Sequence, residues 1–348
     1  MPETEIKLSQ LSRRGGSACK LPPELLQQIL AGITPGILPP QLLAGMDKVD
    51  DAVVYQLNPQ QAIVVTTDFF APLVDDPLDF GRIAASNALS AVYAMGGTPL
   101  FALALAGMPA GILTAETIAQ IFEGGAQTCR LAGIPIAGGH SIDAPEPVYG
   151  LVAIGLVNPQ HLKRNSVARA GDKLILGKPI GVGCYGEVLR QGQLTDSEYE
   201  ALLQSVTQLN TPGPVLACLD GVHALTDIGG GGLLGHLLDL CKGSGLRANL
   251  DFSAVPLLPR LAEFVRAGHV SDVVERNWAS YGGAVCLMAP DADVLRPLLA
   301  DPQTSGGLLV SCAPDTVTEV LSIFLQQGFS HVSVIGELTE AEPGVDVV

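Results

Sequence analysis

Residues 61–97 read QAIVVTTDFFAPLVDDPLDFGRIAASNALSAVYAMGG. The first eight are mostly apolar and β-branched and end on Asp68, the pattern of a strand. From Asp79 onward apolar residues recur at intervals of three and four until Gly96-Gly97, which predicts a helix over 79–97 stopped by the glycine pair. A strand followed by a helix sets the α/β (α+β) class, and the flanking segments repeat the alternation. AVVYQL (52–57) is an earlier strand. A strand over 99–107, a helix over 114–132, a short strand over 134–137 and the strand VYGLVAIGLV (148–157) come after. Together they make one α/β unit of about a hundred residues, a common domain size.

A second unit opens with the apolar strand in AGDKLILGKPIG (170–181). Helices are expected over 196–209 and 213–220. ALTDIGGGGLLGHLLDLCKGSG (224–245) reads as strand end, glycine turn and helix. RANLDFS is a strand and PRLAEFVRAG a helix, DPQTSGGLLVSC (301–312) turns into a strand, and a helix (315–327) and strand (331–336) close the chain. The polar, basic stretch NPQHLKRNSVARA marks a boundary near 158–169. The expected organisation is a flexible glycine-rich segment over 1–49, with a short helix at 21–33, then domains over 50–157 and 158–348. Both halves carry a strand ending in Thr-Asp, at Asp68 and Asp227, a weak sign of duplicated architecture.

The 348 residues are 47% hydrophobic, ample for a core of that size. The net charge of −16 argues against a nucleic-acid partner, which would require a basic face, and means that a polyanionic substrate needs local cations. Seven scattered cysteines with no CxxC pair suggest neither a disulfide framework nor a zinc site. With no apolar leader in MPETEIKLSQ and no membrane-length apolar run, the expected location is the cytoplasm.

Three features point to chemistry. Asp51, Asp68 and Asp227 stand at expected strand ends; carboxylates there could hold Mg²⁺ against phosphate oxygens, or could be solvated turn and cap residues. AGGHSIDAPEP (137–147), DIGGGGLLGH (227–236) and DPQTSGG (301–307) are glycine turns whose N–H groups could face an anion, though none has the P-loop pattern. His140 and His236 in these turns read as packed or capping histidines rather than ligands. RRGGSACK (13–20) offers Lys20 to a phosphate and Cys19 as a thiol that nearby cations would activate; the alternative is a mobile end.

Taken in order, ACK (18–20), DDAVVY (50–55), TTDFF (66–70), AGGHSIDAPEP (137–147), LTD (225–227), GLLGH (232–236), ERNWASYG (275–282) and DPQTSGGLL (301–309) resemble the selenophosphate synthetases (selenide, water dikinases) of the aminoimidazole ribonucleotide synthetase superfamily. The resemblance covers the chain from about residue 5 to about residue 337. It implies a two-domain α/β fold, a homodimer formed through the N-terminal sheets, and a kinase that turns ATP, selenide and water into selenophosphate, phosphate and AMP. It implies Mg²⁺ on Asp51, Asp68 and Asp227, and nucleotide contacts from Lys20, Lys48, Val49, Asp50 and Asp68. Gly139, His140 and Ser141 would complete the site, from the same or the other subunit. The N-terminal loop would close over the phosphates.

The chain departs from the family pattern at three places. Ser17 stands where the family has Cys or selenocysteine, leaving Cys19 as the nearby thiol. Ala91 stands where the family has an aspartate. Gly229 and Gly231 replace a hydroxyl and an aromatic residue, which predicts a looser turn. The departures set the family reaction against an alternative, an impaired paralogue that binds nucleotide as a regulatory protein or phosphorylates another small acceptor.

Overall fold

The computed structural model describes residues 7–21, 23–31, 36, 38–45, 50–288 and 291–348. The N-terminal half comprises α1 (Pro23–Ala31), β1 (Leu42–Ala44), β2 (Val53–Asn58), β3 (Gln61–Phe70), α2 (Pro77–Ala94), β4 (Thr98–Met108), α3 (Ala115–Leu131), β5 (Ile136–Asp143) and β6 (Val148–Val157). Its six strands form one sheet in the order β1-β2-β3-β6-β4-β5, with β4 and β5 parallel and the other neighbours antiparallel.

Alternation within β3 explains the layering. Ala62, Val64 and Phe70 are buried toward α2 and α3, whereas Phe69 is 51% exposed on the opposite face. Asp76 caps α2 by accepting the Asp79 N–H at 2.9 Å, with Pro77 in the first turn. Where α2 crosses α3, the glycines permit backbone approach. A Cβ on Gly81 would lie 1.9 Å from the Ile121 carbonyl oxygen, and one on Gly124 would lie 2.0 Å from that of Leu78.

The C-terminal half contains β7 (Lys173–Leu176), α4 (Val182–Arg190), α5 (Asp196–Thr207), α6 (Gly213–Ala217), β8 (Val222–Asp227), α7 (Gly232–Ser244), β9 (Arg247–Leu250), α8 (Leu261–Arg266), α9 (Val273–Tyr281), β10 (Val285–Leu287), α10 (Ala292–Leu299), β11 (Leu308–Cys312), α11 (Val317–Gln326), β12 (Ser333–Thr339) and β13 (Gly344–Val347). Its sheet runs β10-β13-β9-β12-β7-β11-β8. Leu174, Leu176, Leu309, Ala224 and Ala248 supply part of one core on this sheet.

Packing does not stop at residues 158–169: the core of the first sheet continues through Val182, Tyr185, Leu202 and Leu261 of the second half. The expected glycine turn at 137–147 is, as far as Asp143, the edge strand β5, held by its parallel partner β4. Among the described residues no helix is long and apolar enough to cross a membrane.

Candidate active site

The RRGGSACK segment is docked against both halves. Ser9 donates its N–H and its hydroxyl to Asp75 at 3.0 and 2.6 Å. Arg14 forks onto Asp272, and Arg190 donates to the Arg13 and Ser12 carbonyls. Gly16 adopts φ 56°, donates its N–H to the Ala71 carbonyl at 2.8 Å, and leaves the place of a Cβ to the Thr304 hydroxyl. Ser17 follows, fully buried, with its N–H donated to Thr304 Oγ1 at 2.8 Å. The Ser17 hydroxyl has no partner.

This seating carries Lys20 to β3, where its Nζ meets Asp68 Oδ2 at 2.5 Å. Asp68 lies two residues inside the strand end, on the helix-facing side with Phe70. Asp51 precedes β2 and accepts the Thr226 hydroxyl at 2.8 Å, which brings it beside Asp227, the last residue of β8. Burial raises the Asp51 carboxyl well above the usual range, and the charges of Asp227, Asp50 and Asp239 add to it. Asp50 is fastened by the Arg164 guanidinium at 2.7 and 2.9 Å.

Asp51 Oδ2 and Asp50 Oδ1 are buried without a partner. Crowded, hard, unpartnered carboxylate oxygens fit a divalent cation, and Mg²⁺ in particular takes one or two carboxylates and completes its shell with water and phosphate oxygens. Among the described residues no three His, Cys, Asp or Glu side chains form a ready-made cage. Ala91 is half-buried on α2 and contributes no ligand atom.

The glycine turn between β8 and α7 is fastened rather than loose. Gly229 donates its N–H to His236 Nε2 at 2.9 Å, and its carbonyl accepts the Gln303 N–H at 3.0 Å. Asn277 Nδ2 donates to the Gly230 carbonyl and the Tyr281 hydroxyl to that of Gly231, both at 2.8 Å. Burial lowers the His236 pKa, which keeps the ring neutral and able to accept. His236 is thus a capping residue. Ser17 sits over this turn, its carbonyl oxygen 3.1 Å from where a Gly230 Cβ would be.

Gly139, His140 and Ser141 are not brought to this cluster within one chain. Cross-strand register aligns Asp68 with Leu151, Ala104 and Gly139, so β5 lies three strands from β3, roughly 14 Å at ordinary strand spacing. All three are exposed at the sheet edge, and His140 shares the row of Phe69 and Leu105 on the face away from α2. Lys48 and Val49, expected at the nucleotide, lie outside the described residues. Cys19 is exposed, yet desolvation raises its thiol pKa, against the opposing pull of the Ala71 backbone and Lys20. The cations beside it do not make it a ready thiolate.

Sequence reading does not single out Arg164, Thr226, Thr304 or Asn277, which hold the site. Thr226, Thr304 and Asn277 sit inside LTD, DPQTSGGLL and ERNWASYG, stretches that carry the resemblance, and that placement is the available signal.

Residues 49–157 match the family described as AIR synthase related protein, N-terminal domain, and residues 169–348 match AIR synthase related protein, C-terminal domain. A protein of Dechloromonas aromatica (strain RCB) named selenide, water dikinase is 64% identical over 348 residues, covering 100% of both chains. A protein of the same name from Burkholderia ambifaria (strain MC40-6) is 53% identical over 346 residues, 99% of this chain and 98% of that one. The solved structure of thiamine-monophosphate kinase from Stenotrophomonas maltophilia K279a, 20% identical, superposes with a TM-score of 0.61 over 88% of this chain and 91% of that one, and so shares the fold.

Proposed function

This chain belongs to the selenide, water dikinase family of AIR synthase related proteins, and from that membership we propose that it uses ATP to phosphorylate selenide, releasing selenophosphate, phosphate and AMP. The observation that carries the reading is the seating of residues 16–20. One short loop places Lys20 on Asp68 while Ser17 rests on the turn that follows Asp227.

Phosphoryl transfer is mostly positioning and charge neutralisation. Lys20 is an exposed ammonium whose single carboxylate partner leaves donors for a transferring phosphoryl group. The loop that carries it is held close to Pro72 and Thr304 through its own glycines, which fixes where the ammonium stands. Asp51, Asp68 and Asp227 would hold Mg²⁺, which when bound supplies positive charge to the phosphate oxygens. Asp50, tied to Arg164, fixes the start of the segment that bears Asp51. Residue 17 is the family's reactive position, and here it offers a hydroxyl. The raised Cys19 thiol argues against Cys19 as its replacement.

The site is completed in a homodimer. Tyr55, Leu57 and Phe69 are 41%, 53% and 51% exposed on the sheet face opposite α2 and α3, an apolar surface that a second copy of the same sheet would cover. Such pairing would bring Gly139, His140 and Ser141 of one subunit toward the aspartates of the other. With no membrane-spanning helix among the described residues, a cytoplasmic location suits the chemistry.

Phosphorus NMR of the protein with ATP, Mg²⁺ and selenide under reducing conditions tests the reading. AMP and selenophosphate are expected to appear together and to vanish in Lys20→Ala. ATP consumption indifferent to selenide would sink it.

A further inference from the structure

Among the described residues Lys178 is the one buried lysine or arginine, and it belongs to none of the aspartate, glycine-turn or N-terminal motifs. Its Nζ donates to two carbonyls, Gln208 at 2.6 Å and Ser305 at 2.9 Å, and forms no ion pair. Keeping an ammonium dry on carbonyls alone is costly, and a methionine would fill the same space without that cost. Burial accordingly pushes the amine down to about 7, against the opposing charge of Asp227. A buried amine in such a place ties down whatever it holds.

What it holds is a left-handed turn at the site. Ser305 is a non-glycine residue in the left-handed region at φ 50°. Its N–H donates to Asn87 Oδ1 of α2 at 2.8 Å, and Asn210 Nδ2 donates to the next carbonyl, Gly306, at 2.9 Å. Gly307 lies so close that a Cβ there would be 2.4 Å from the Lys178 backbone nitrogen. The residue before Ser305 is Thr304, whose hydroxyl receives the Ser17 N–H. The residue before that, Gln303, binds the Gly229 carbonyl of the glycine turn.

We infer that Lys178 is a positioning residue: by holding the Ser305 carbonyl it fixes the left-handed shape of the 303–306 turn, and through Thr304 it seats residue 17 and the loop that carries Lys20. The catalytic consequence rests on the function proposed above, and the seating itself does not.

The two are separated by measuring them independently. In a Ser17→Cys background, alkylation of the introduced thiol by iodoacetamide is followed by peptide mass spectrometry, with fragmentation to resolve it from Cys19 and the other cysteines. The thiol at position 17 is expected to be protected when Lys178 is present and to react about tenfold faster or more in Lys178→Met, as expected when a buried hydrogen-bonded group is lost. Thr304→Val, which removes the acceptor itself, should give the same acceleration. In the AMP-forming assay Lys178→Met should lower kcat by a similar factor while leaving KM for ATP within about twofold, because the nucleotide contacts are not its own. Should the methionine variant not fold, Lys178→Gln, whose amide lies one atom nearer the backbone and falls short of the Ser305 carbonyl, is read in the same way. Unchanged protection of the introduced thiol in whichever variant folds overturns the inference. Failure of both to fold overturns it too, by making Lys178 a residue of the fold alone. A protein that makes no AMP sinks the proposed function and leaves the alkylation result standing.

Discussion

Ser17 is a buried hydroxyl with nothing to bond, and that arrangement suits sulfur better than oxygen. An unpartnered buried hydroxyl costs about 1–3 kcal/mol, whereas a thiol behaves as a small apolar group. Ser17→Cys is therefore expected to stabilise the protein by about 1 kcal/mol in urea unfolding. It should also increase AMP formation; equal stability and equal turnover would show that the pocket is indifferent to the atom. Asp301 supplies a pH signature. It accepts the Gly183 N–H at 2.9 Å at the start of α4, and burial pushes its carboxyl up to about 7. Its protonated form is favoured by folding, so its contribution is complete below the unfolded value of ~3.9 and is lost as pH rises to 7. Asp301→Asn, neutral at every pH, should match the parent near pH 4 and become progressively more stable than it up to about pH 7, by at most a few kcal/mol, then hold level. A constant difference in melting temperature from pH 4 to 8 would refute the shift. Neither residue's environment was legible in the sequence. RRGGSACK and DPQTSGG mark chemistry, but the contact of Ser17 with Thr304 spans 287 positions, and burial of a carboxylate depends on what packs around it.

At the level of elements, local pattern served best where periodicity was long. The strands at 61–68 and 148–157 and the helix at 79–97 correspond to β3, β6 and α2 with small shifts at the ends, because each carries an apolar pattern long enough to specify its own element. It served worst where tertiary pairing overrode composition. Gly138 and Gly139 suggested a turn, yet β4 supplies a parallel ladder that holds them extended in β5. The same limit applies to Gly229–Gly232, where glycines suggested slack and Asn277, Tyr281, His236 and Gln303 supply the restraint. The α2–α3 crossing gives a test of element packing apart from catalysis. Gly124→Ala would set a methyl group 2.0 Å from the Leu78 carbonyl oxygen, backbone that cannot yield without moving a helix. Helix propensity alone favours alanine by about 1 kcal/mol, while overpacking costs about 1–3 kcal/mol or more. The contact is backbone on backbone, so the steric term wins and the variant should lose roughly 2 kcal/mol in urea unfolding. A stabilised variant would mean that the helices are farther apart than described.

The whole molecule leaves one problem unsolved by a single chain. Lys20 and Asp68 meet on one side of the first sheet, and His140 projects from its far edge on the opposite face, in the row of Phe69 and Leu105. In the proposed homodimer a residue so placed would reach the nucleotide across the subunit boundary, and the exposed apolar face around Phe69 is where that boundary would lie. Phe69→Asp should accordingly yield a monomer by light scattering, since a charge on a buried apolar interface is strongly disfavoured. Sharing of the site predicts more. Lys20→Ala and His140→Ala should each be inactive alone, because every site of either homodimer lacks one group. In a mixed dimer one site receives both altered residues and the other receives neither. Equal amounts, unfolded and refolded together, should recover about a quarter of the parent turnover, half of the dimers being mixed and half of their sites intact. Mixing with the Phe69→Asp change on both chains should recover none. If Lys20 and His140 served the same site from the same chain, mixed dimers would contain only damaged sites, and no activity would return at any ratio.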